Sequence, residues 1–537
     1  MSRRPRPGSL VKVMPETQRA LLAGICAHPD ELTPRLVYAD WLDEHGQPER
    51  AEFIRLGCEA HQLDQEDSES QAVAEFFIDC GVRAAEKVDW SAVAPEVGRR
   101  LAVHARLEAL TKKNGKKWQR AEAPKECPVR WTHYKRGFLD GAHETNPRRF
   151  LTLLPKIFET VPFSHLSFAE RFKDDEATKL VAAWAGRLRC LEAGDLNVNV
   201  VEAFGADPAS GSITRITTDF GCLPNGIAEA IADAPHFRGV KTLHFETDLM
   251  AEETAQRLFR APHLRKLEKV HLAPSDWPAS VTRLLTGGRF PALRKLALTV
   301  QGSLLTVEAA SRIAHAWAAT RSQTGERSDL TDEAALALTR SGGIPSLRSL
   351  YVGHNDLGPR AATALLETKN LPRLACLSLV NNDIRGFGEK LTRGAGPSPL
   401  RVLGLNNTRP AAPDLAVLAA APLRDGLIWL DLSDNNLGDG AIRKLVGSGG
   451  FPHLIGLELQ ANRIGDAGLR ALSKCPGLSA LQVLLLNANS YGSLGLGALA
   501  DSPHLGDLKY LRVTGGDNRR AGVKALRKRF GAAVEVL

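Results

Sequence analysis

The chain has little from which a reactive or covalently braced site could be built. Its eight cysteines, Cys26, Cys58, Cys80, Cys127, Cys190, Cys222, Cys376 and Cys475, form no Cys-x-x-Cys pair and have no matching His pairs. That spread excludes a zinc-binding motif and a disulfide framework, and it fits reduced thiols in a cytoplasmic protein. No run of 18 apolar residues occurs, so no membrane-spanning helix is predicted. Arg3, Arg4 and Arg6 are followed by no long apolar stretch, which argues against a secretory signal. Also missing are a G-x-S-x-G elbow, a phosphate-cradling G-x-x-x-x-G-K-[ST] loop, an H-E-x-x-H helix and a dinucleotide fingerprint. Nothing therefore predicts catalysis, a cofactor or a metal. Methionine (3) and tyrosine (5) are scarce among 537 residues, while Leu and Ala dominate an apolar fraction of 43%. That bias suits a repetitive core with one favoured residue per slot.

What is present is a repeat. Leu347-x-x-Leu350-x-Val352-x-x-Asn355-x-Leu357 recurs as Leu374-x-x-Leu377-x-Leu379-x-x-Asn382-x-Ile384 and Leu427-x-x-Leu430-x-Leu432-x-x-Asn435-x-Leu437. It returns at Leu454 to Ile464, with Asn462, and at Leu481 to Tyr491, with Asn489. The leading leucines lie at 347, 374, 400, 427, 454, 481 and 508, a period of 26 or 27 residues. This is the leucine-rich-repeat phrase. Weaker copies lead with Leu293, Leu267, Val240, Ile213, Leu188 and Phe163, and a degenerate unit is expected around Thr320 to Leu338. The total is about fourteen units.

In each L-x-L the two apolar side chains share one face, which predicts a short strand. The Asn side chain can bond backbone groups where the chain leaves the strand, so Asn355, Asn382, Asn435, Asn462 and Asn489 are read as a structural ladder. The second half of each unit turns helical, as at Ile442, Leu445 and Val446, with Gly438-Asp439 and Gly465-Asp466 marking the entry. Strand plus helix per unit predicts an α/β solenoid with a concave parallel sheet and convex helices, and it resembles the ribonuclease-inhibitor-type subclass. Val534 and Val536 fit the inward positions of a last capping strand.

Ahead of the repeats the chain reads as all-α. Residues 1–13 form a basic tail, and Met14 is an alternative start. Residues 14–63 predict three helices, the second capped by Thr33 with Pro34 at its first position and stopped at Gly46. Residues 64–128 are expected to supply a helical extension and N-terminal cap, with the solenoid over 129–537. The stretch TPRLVYADWLDEHGQPERAEFIRLG, residues 33 to 57, is similar to the signature of the bacterial repeat-companion domain. The resemblance continues through Lys116-Lys117-Trp118 and Tyr134-Lys135-Arg136-Gly137-Phe138-Leu139. It implies a helical domain commonly followed by leucine-rich repeats, and no biochemical activity. Tyr38, Asp40, Trp41, Glu52 and Arg55 could form an acid–base constellation, but the preferred reading is Trp41 as core and Asp40 as the partner of a neighbouring Arg.

Function on this reading is a non-catalytic scaffold that binds an unidentified protein partner, as a monomer. Residues flanking the inward leucines should be exposed on the concave face: His244, Glu246, Lys269, His271, Tyr351, Trp429, Asp431, Glu458, Gln460, Leu485, Asn487, Tyr510 and Arg512. Interfaces concentrate energy in Trp, Tyr and Arg, which favours Trp429, Tyr510 and Arg512. Lateral packing along a column of repeats is the competing reading. Two alternatives remain. One is GTPase regulation, by fold analogy alone. The other is binding to nucleic acid or an anionic surface through the clusters at Arg3–Arg6, Lys112–Arg120 and Arg519–Arg529, within a net charge of +8. Solvated helix ends and tails are the preferred reading of those clusters, and nucleic acid is not the expected partner.

Overall fold

The computed structural model describes residues 15–66, 68–122, 129–131, 133–144, 146–159, 161–168, 171–184, 186–193, 197–218, 225–245, 250–272, 276–277, 281, 284–285, 288–298, 329–330, 332–340, 344–355, 357–367, 371–389, 391 and 398–537. Five helices come first: α1 (Glu16–Ala27), α2 (Thr33–Glu44), α3 (Pro48–Leu63), α4 (Glu69–Asp79) and the long α5 (Pro95–Glu122). Two 3-10 turns, Arg83–Lys87 and Trp90–Ala92, join the last two. Thr33 opens α2 instead of capping it. Leu32 holds the capping position and no side chain bonds there, while Pro34 sits in the first turn as expected.

The strands that follow are β1 (Val129–Trp131), β2 (Tyr134–Lys135), β3 (Phe138–Leu139), β4 (Gly141–Glu144), β5 (His165–Phe168), β6 (Cys190–Glu192), β7 (Arg215–Thr217), β8 (Thr242–Phe245), β9 (Lys269–Leu272), β10 (Asp276–Trp277) and β11 (Lys295–Leu298). Then come β12 (Asp329–Leu330), β13 (Ser349–Tyr351), β14 (Cys376–Ser378), β15 (Val402–Gly404), β16 (Trp429–Asp431), β17 (Gly456–Glu458), β18 (Val483–Leu485), β19 (Tyr510–Val513) and β20 (Val534–Val536). One 16-stranded sheet runs through β1 and then β4 to β20, leaving out β10 and β12. Only the edge strand β1 is antiparallel, so fifteen strands are parallel. Helices, or the 3-10 turn Phe387–Glu389 between β14 and β15, lie in most of the crossovers that parallel pairs need.

The register stacks like on like: Leu350 faces Leu377, then Leu403, Leu430, Leu457, Leu484 and Leu511. These leucines build one continuous core from Trp131 to Val534. β20 pairs with β19 and its Val534 and Val536 join that core, as read from the sequence. The expected degenerate unit inserts no strand into this sheet, since β11 pairs directly with β13, Leu296 opposite Leu350. Residues 320–328 of that unit lie outside the described residues; β12 pairs instead with β10 in a separate ribbon.

The Asn ladder is built as its chemistry demands. Asn462 Nδ2 donates to Leu432 O of the preceding repeat at 2.8 Å and to Gln460 O at 3.1 Å, while Oδ1 accepts from Asn435 N at 3.0 Å. Asn435, Asn489, Asn382 and Asn355 likewise donate both to their own turn and to the strand before. In the unit led by Leu400 the place falls to Thr408, whose hydroxyl donates to Leu405 O at 2.7 Å. A second ladder runs along the helix starts. Asp439 Oδ1 accepts from Gly465 N and Gly468 N of the next repeat, and Asp466 Oδ1 from Gly492 N and Gly495 N. Each carboxylate thus caps its neighbour's helix, satisfying N–H groups that have no partner within it.

The N-terminal helices dock on the hairpin β2–β3 through two glycines. A Cβ on Gly57 would lie 2.6 Å from Gly137 N, and one on Gly137, at φ +82°, would lie 2.5 Å from Ile54 Cα. Beside this contact the buried Arg50 guanidinium stands 5.0 Å from the Trp118 ring and 5.4 Å from Phe138, and pairs with Glu122 at 2.5 Å.

Replacing Asn462 by Ala takes the side-chain acceptor from the backbone N–H groups of Asn435 and Leu437 and a donor from Leu432 O and Gln460 O, in a dry interior. Loss of roughly 2 kcal/mol or more is expected in denaturant unfolding. A change below half of that would show that the ladder does not hold the stack. Gly57→Ala should unlock the N-terminal helices while sparing the repeats, seen as early proteolysis confined to the residues before β1.

Candidate functional site

The concave side chains come in columns because adjacent parallel strands keep register about 4.8 Å apart. Trp429 begins one such position, and the next strand places Gly456 beside it. A Cβ on Gly456 would lie 2.1 Å from the Trp429 ring. The indole therefore lies flat over the neighbouring backbone, with its Nε1 donating to Glu458 Oε1 at 2.9 Å.

The outer face of the indole is not open to solvent. Phe77 of α4 packs edge-on against Trp429 at 4.9 Å between ring centres, and Phe76 stacks on Tyr351 at 5.5 Å. Ala72 O accepts from Cys376 Sγ at 3.5 Å. With Val402, Val483 and Leu485 these residues form a second apolar core, distinct from that of the repeats. The sequence expectation of an exposed strip is thus corrected: Trp429 is 1% exposed and Tyr351 3%, and Glu458, Gln460 and Leu485 are buried too. The reason is that helix and sheet complement one another. Ala297, Ser378, Gly404 and Gly456 are small on this face and leave room for two phenylalanines.

Charge completes the seat. Glu75 pairs with Lys269 at 2.7 Å and with Lys295 at 3.9 Å, and Asp79 pairs with Lys295. Glu69 meets Arg401 at 2.7 Å. Burial raises the Glu75 carboxyl, but Lys269 and Lys295 outweigh it and hold it below its usual range. Farther along, Gln482 Oε1 accepts from Asp89 N at 2.7 Å. The segment from α4 to α5 therefore does two things: α5 packs on α3 and α4, with Tyr134 of β2 donating to Gly115 O, and α4 with the 3-10 turns lines the groove.

The other expected contact residues are also engaged within the chain. Half-buried Tyr510 and Arg512 both bond Glu535 of β20. Asp431 Oδ1 accepts from Ser433 N at 2.9 Å, and Gln460 Nε2 donates to Glu458 Oε2 at 2.9 Å. Asn487 remains half-buried beside them. Asp431 and Glu458 are register neighbours. Burial and then the nearby Glu458 push the Asp431 carboxyl up to about 8, and burial raises Glu458 also. Toward the first repeats His244 and His271 stack at 4.1 Å, and burial pushes His271 well below its usual range. Glu246 and Arg3–Arg6 lie outside the described residues.

The helical constellation does not converge. Arg55 pairs with Asp40 and Asp43, Glu52 pairs with Arg106 of α5, and Trp41 is stacked between Tyr38 and His45. Lys112, Lys116, Lys117 and Arg120 are exposed in the last turns of α5, where the helix dipole favours cations. Among the described residues no group of three His, Cys, Asp or Glu side chains is placed to hold a metal, and no helix is long and apolar enough to cross a membrane.

The seat of α4 on the concave face was not read from the sequence, although the amphipathic signal of the helix was there. Ala72, Val73, Phe76 and Phe77 recur at helical spacing, with Glu69, Glu75 and Asp79 among them. Because the Asp431 carboxyl titrates higher in the folded chain than the ordinary 3.8, its contribution to stability is complete below that value. It is lost as pH rises through about 8. The denaturant midpoint should fall between about pH 4 and 8 and level off above, and Asp431→Asn should flatten that fall; an equal slope in the variant would refute the assignment.

The leucine-rich-repeat family model matches residues 343–366 and 452–473. No curated protein matches. Among solved structures, an internalin from Listeria monocytogenes is similar at 14% identity, covering 58% of this chain and 78% of its own, with a TM-score of 0.34. The Rad7–Elc1 complex of yeast is similar at 14% identity over 81% of this chain and 97% of that one, TM-score 0.33. Human trophoblast glycoprotein is similar at 20% identity over 46% and 80%, TM-score 0.30. Together, the matched repeats and the register of fifteen parallel strands make the chain a leucine-rich-repeat solenoid.

Proposed function

We propose that this chain is a non-catalytic protein-interaction scaffold that engages a protein partner on the concave face of its repeats. The observation that carries the reading is how that face holds α4. An aromatic centre at Tyr351 and Trp429 is rimmed by Lys269, Lys295 and Arg401. A buried apolar core with a charged rim is how protein interfaces are generally built. The candidate contact set remains Tyr351, Trp429, Asp431, Glu458, Gln460, Asn487, Tyr510 and Arg512. We read residues 14–63 as a bacterial repeat-companion domain and the repeats as ribonuclease-inhibitor type. A cytoplasmic monomer fits the six described cysteines, all of them free thiols.

The reading is tested by placing a photo-crosslinker at Asn487 or Asn406 in the full chain, in its native cells. One partner protein cross-linked from these positions, and not from the convex helix Gly438–Gly447, is the expected result. Cross-links from the convex helix alone would move the binding face.

A further inference from the structure

We infer that α4 is a resident ligand of the concave groove, and that the groove's external partner offers an amphipathic helix of the same chemistry: two adjacent aromatics flanked by acids one and two residues away. The inference rests on the scaffold reading and names what that scaffold recognises.

Three observations support a helix that exchanges, as against one fixed in the core. The core of the repeats runs from Trp131 to Val534 without a residue of α4, and the Asn and Asp ladders are complete without it. Removing α4 therefore leaves the stack intact, whereas removing any repeat would not. Second, what α4 satisfies is a face already shaped for a ligand. Tyr351 and Trp429 take Phe76 and Phe77, and Lys269, Lys295 and Arg401 take Glu75, Asp79 and Glu69. Burial in this seat would disfavour the Lys295 ammonium, yet Asp79 and Glu75 hold it charged, so an incoming helix must bring carboxylates to replace them. Third, α4 is a segment of eleven residues between the turn after α3 and Cys80–Val82, and it is held besides by α5 and Trp90, so that its release also opens its contact with Val97 and Leu101.

Occupancy by α4 has a defined cost for a partner. The partner sees only the fraction of molecules in which α4 is released, so its apparent affinity falls by that fraction. Tethering makes α4 a strong competitor even when its contacts are no better than the partner's.

The test uses the full chain and a fluorescent peptide with the sequence of residues 68–80, carrying Cys80→Ser. In the double variant Phe76→Ala, Phe77→Ala the resident helix is weakened, and the peptide should bind at least ten-fold more tightly than to the wild type. Adding Lys295→Glu should remove that gain, and a peptide with Asp79→Lys should restore it. No binding to a double variant that still unfolds cooperatively overturns the inference. Should the variant fail to fold, hydrogen exchange of the wild type decides. Amides of α4 exchanging at least a hundred-fold faster than Leu430 support release, and equal protection overturns it. A partner cross-linked at Asn487 while α4 stays protected refutes this inference and leaves the scaffold standing.

Discussion

Much of the concave face depends on the contact between Phe77 and Trp429. An indole on a solenoid surface must find a neighbour in its own column, and here the neighbour is the bare backbone of Gly456. That leaves one ring face uncovered, and Phe77 covers it. Aromatic rings bury about 150–250 Å² each, so neither would remain wet when the other is in reach. The 3-10 turns continue the same surface, with Trp90 at 5.7 Å from Phe77 and donating to Ala85 O. Helix, turn and sheet thereby close around one apolar seam.

Electrostatics follows from that closure. Once α4 is seated, Lys295 and Glu75 are largely shielded from water and are kept ionised by one another and by Asp79 and Lys269. Such pairs add little net stability after desolvation, but they punish a misplaced helix severely. They set the position of α4 along the strands more than its affinity. The acid pair Asp431 and Glu458 is the opposite case: no cation sits close enough to offset burial fully, and both carboxyls rise.

The N-terminal domain gains its placement from two close approaches. Gly57 and Gly137 let α3 touch the hairpin backbone, and Asp30 reaches Arg189 and Arg136 at the first repeats. From this anchored base, α5 and the segment before it extend along the solenoid. A chain pinned at the first repeats and seated at β9 to β18 connects distant units that otherwise meet only through nearest neighbours.

The repeat phrase, its period and the inward leucines were legible because each unit repeats one local solution, so five copies of Leu-x-x-Leu-x-Leu-x-x-Asn speak for the whole stack. Asn462 could be assigned a structural duty at its own turn, whereas Asp439 marked only a helix entry, and the bonds of both to the neighbouring repeat came from the structure. The helical start was legible through Pro34, Gly46 and Pro48, residues with strong backbone preferences. Trp429 was different. Its position on the concave face followed from strand alternation, but its burial did not, because the ring that covers it is 352 residues away in sequence. Local pattern says which way a side chain points. Only the tertiary structure decides what stands in front of it, since nonlocal contact depends on where α5 and the hairpin carry α4.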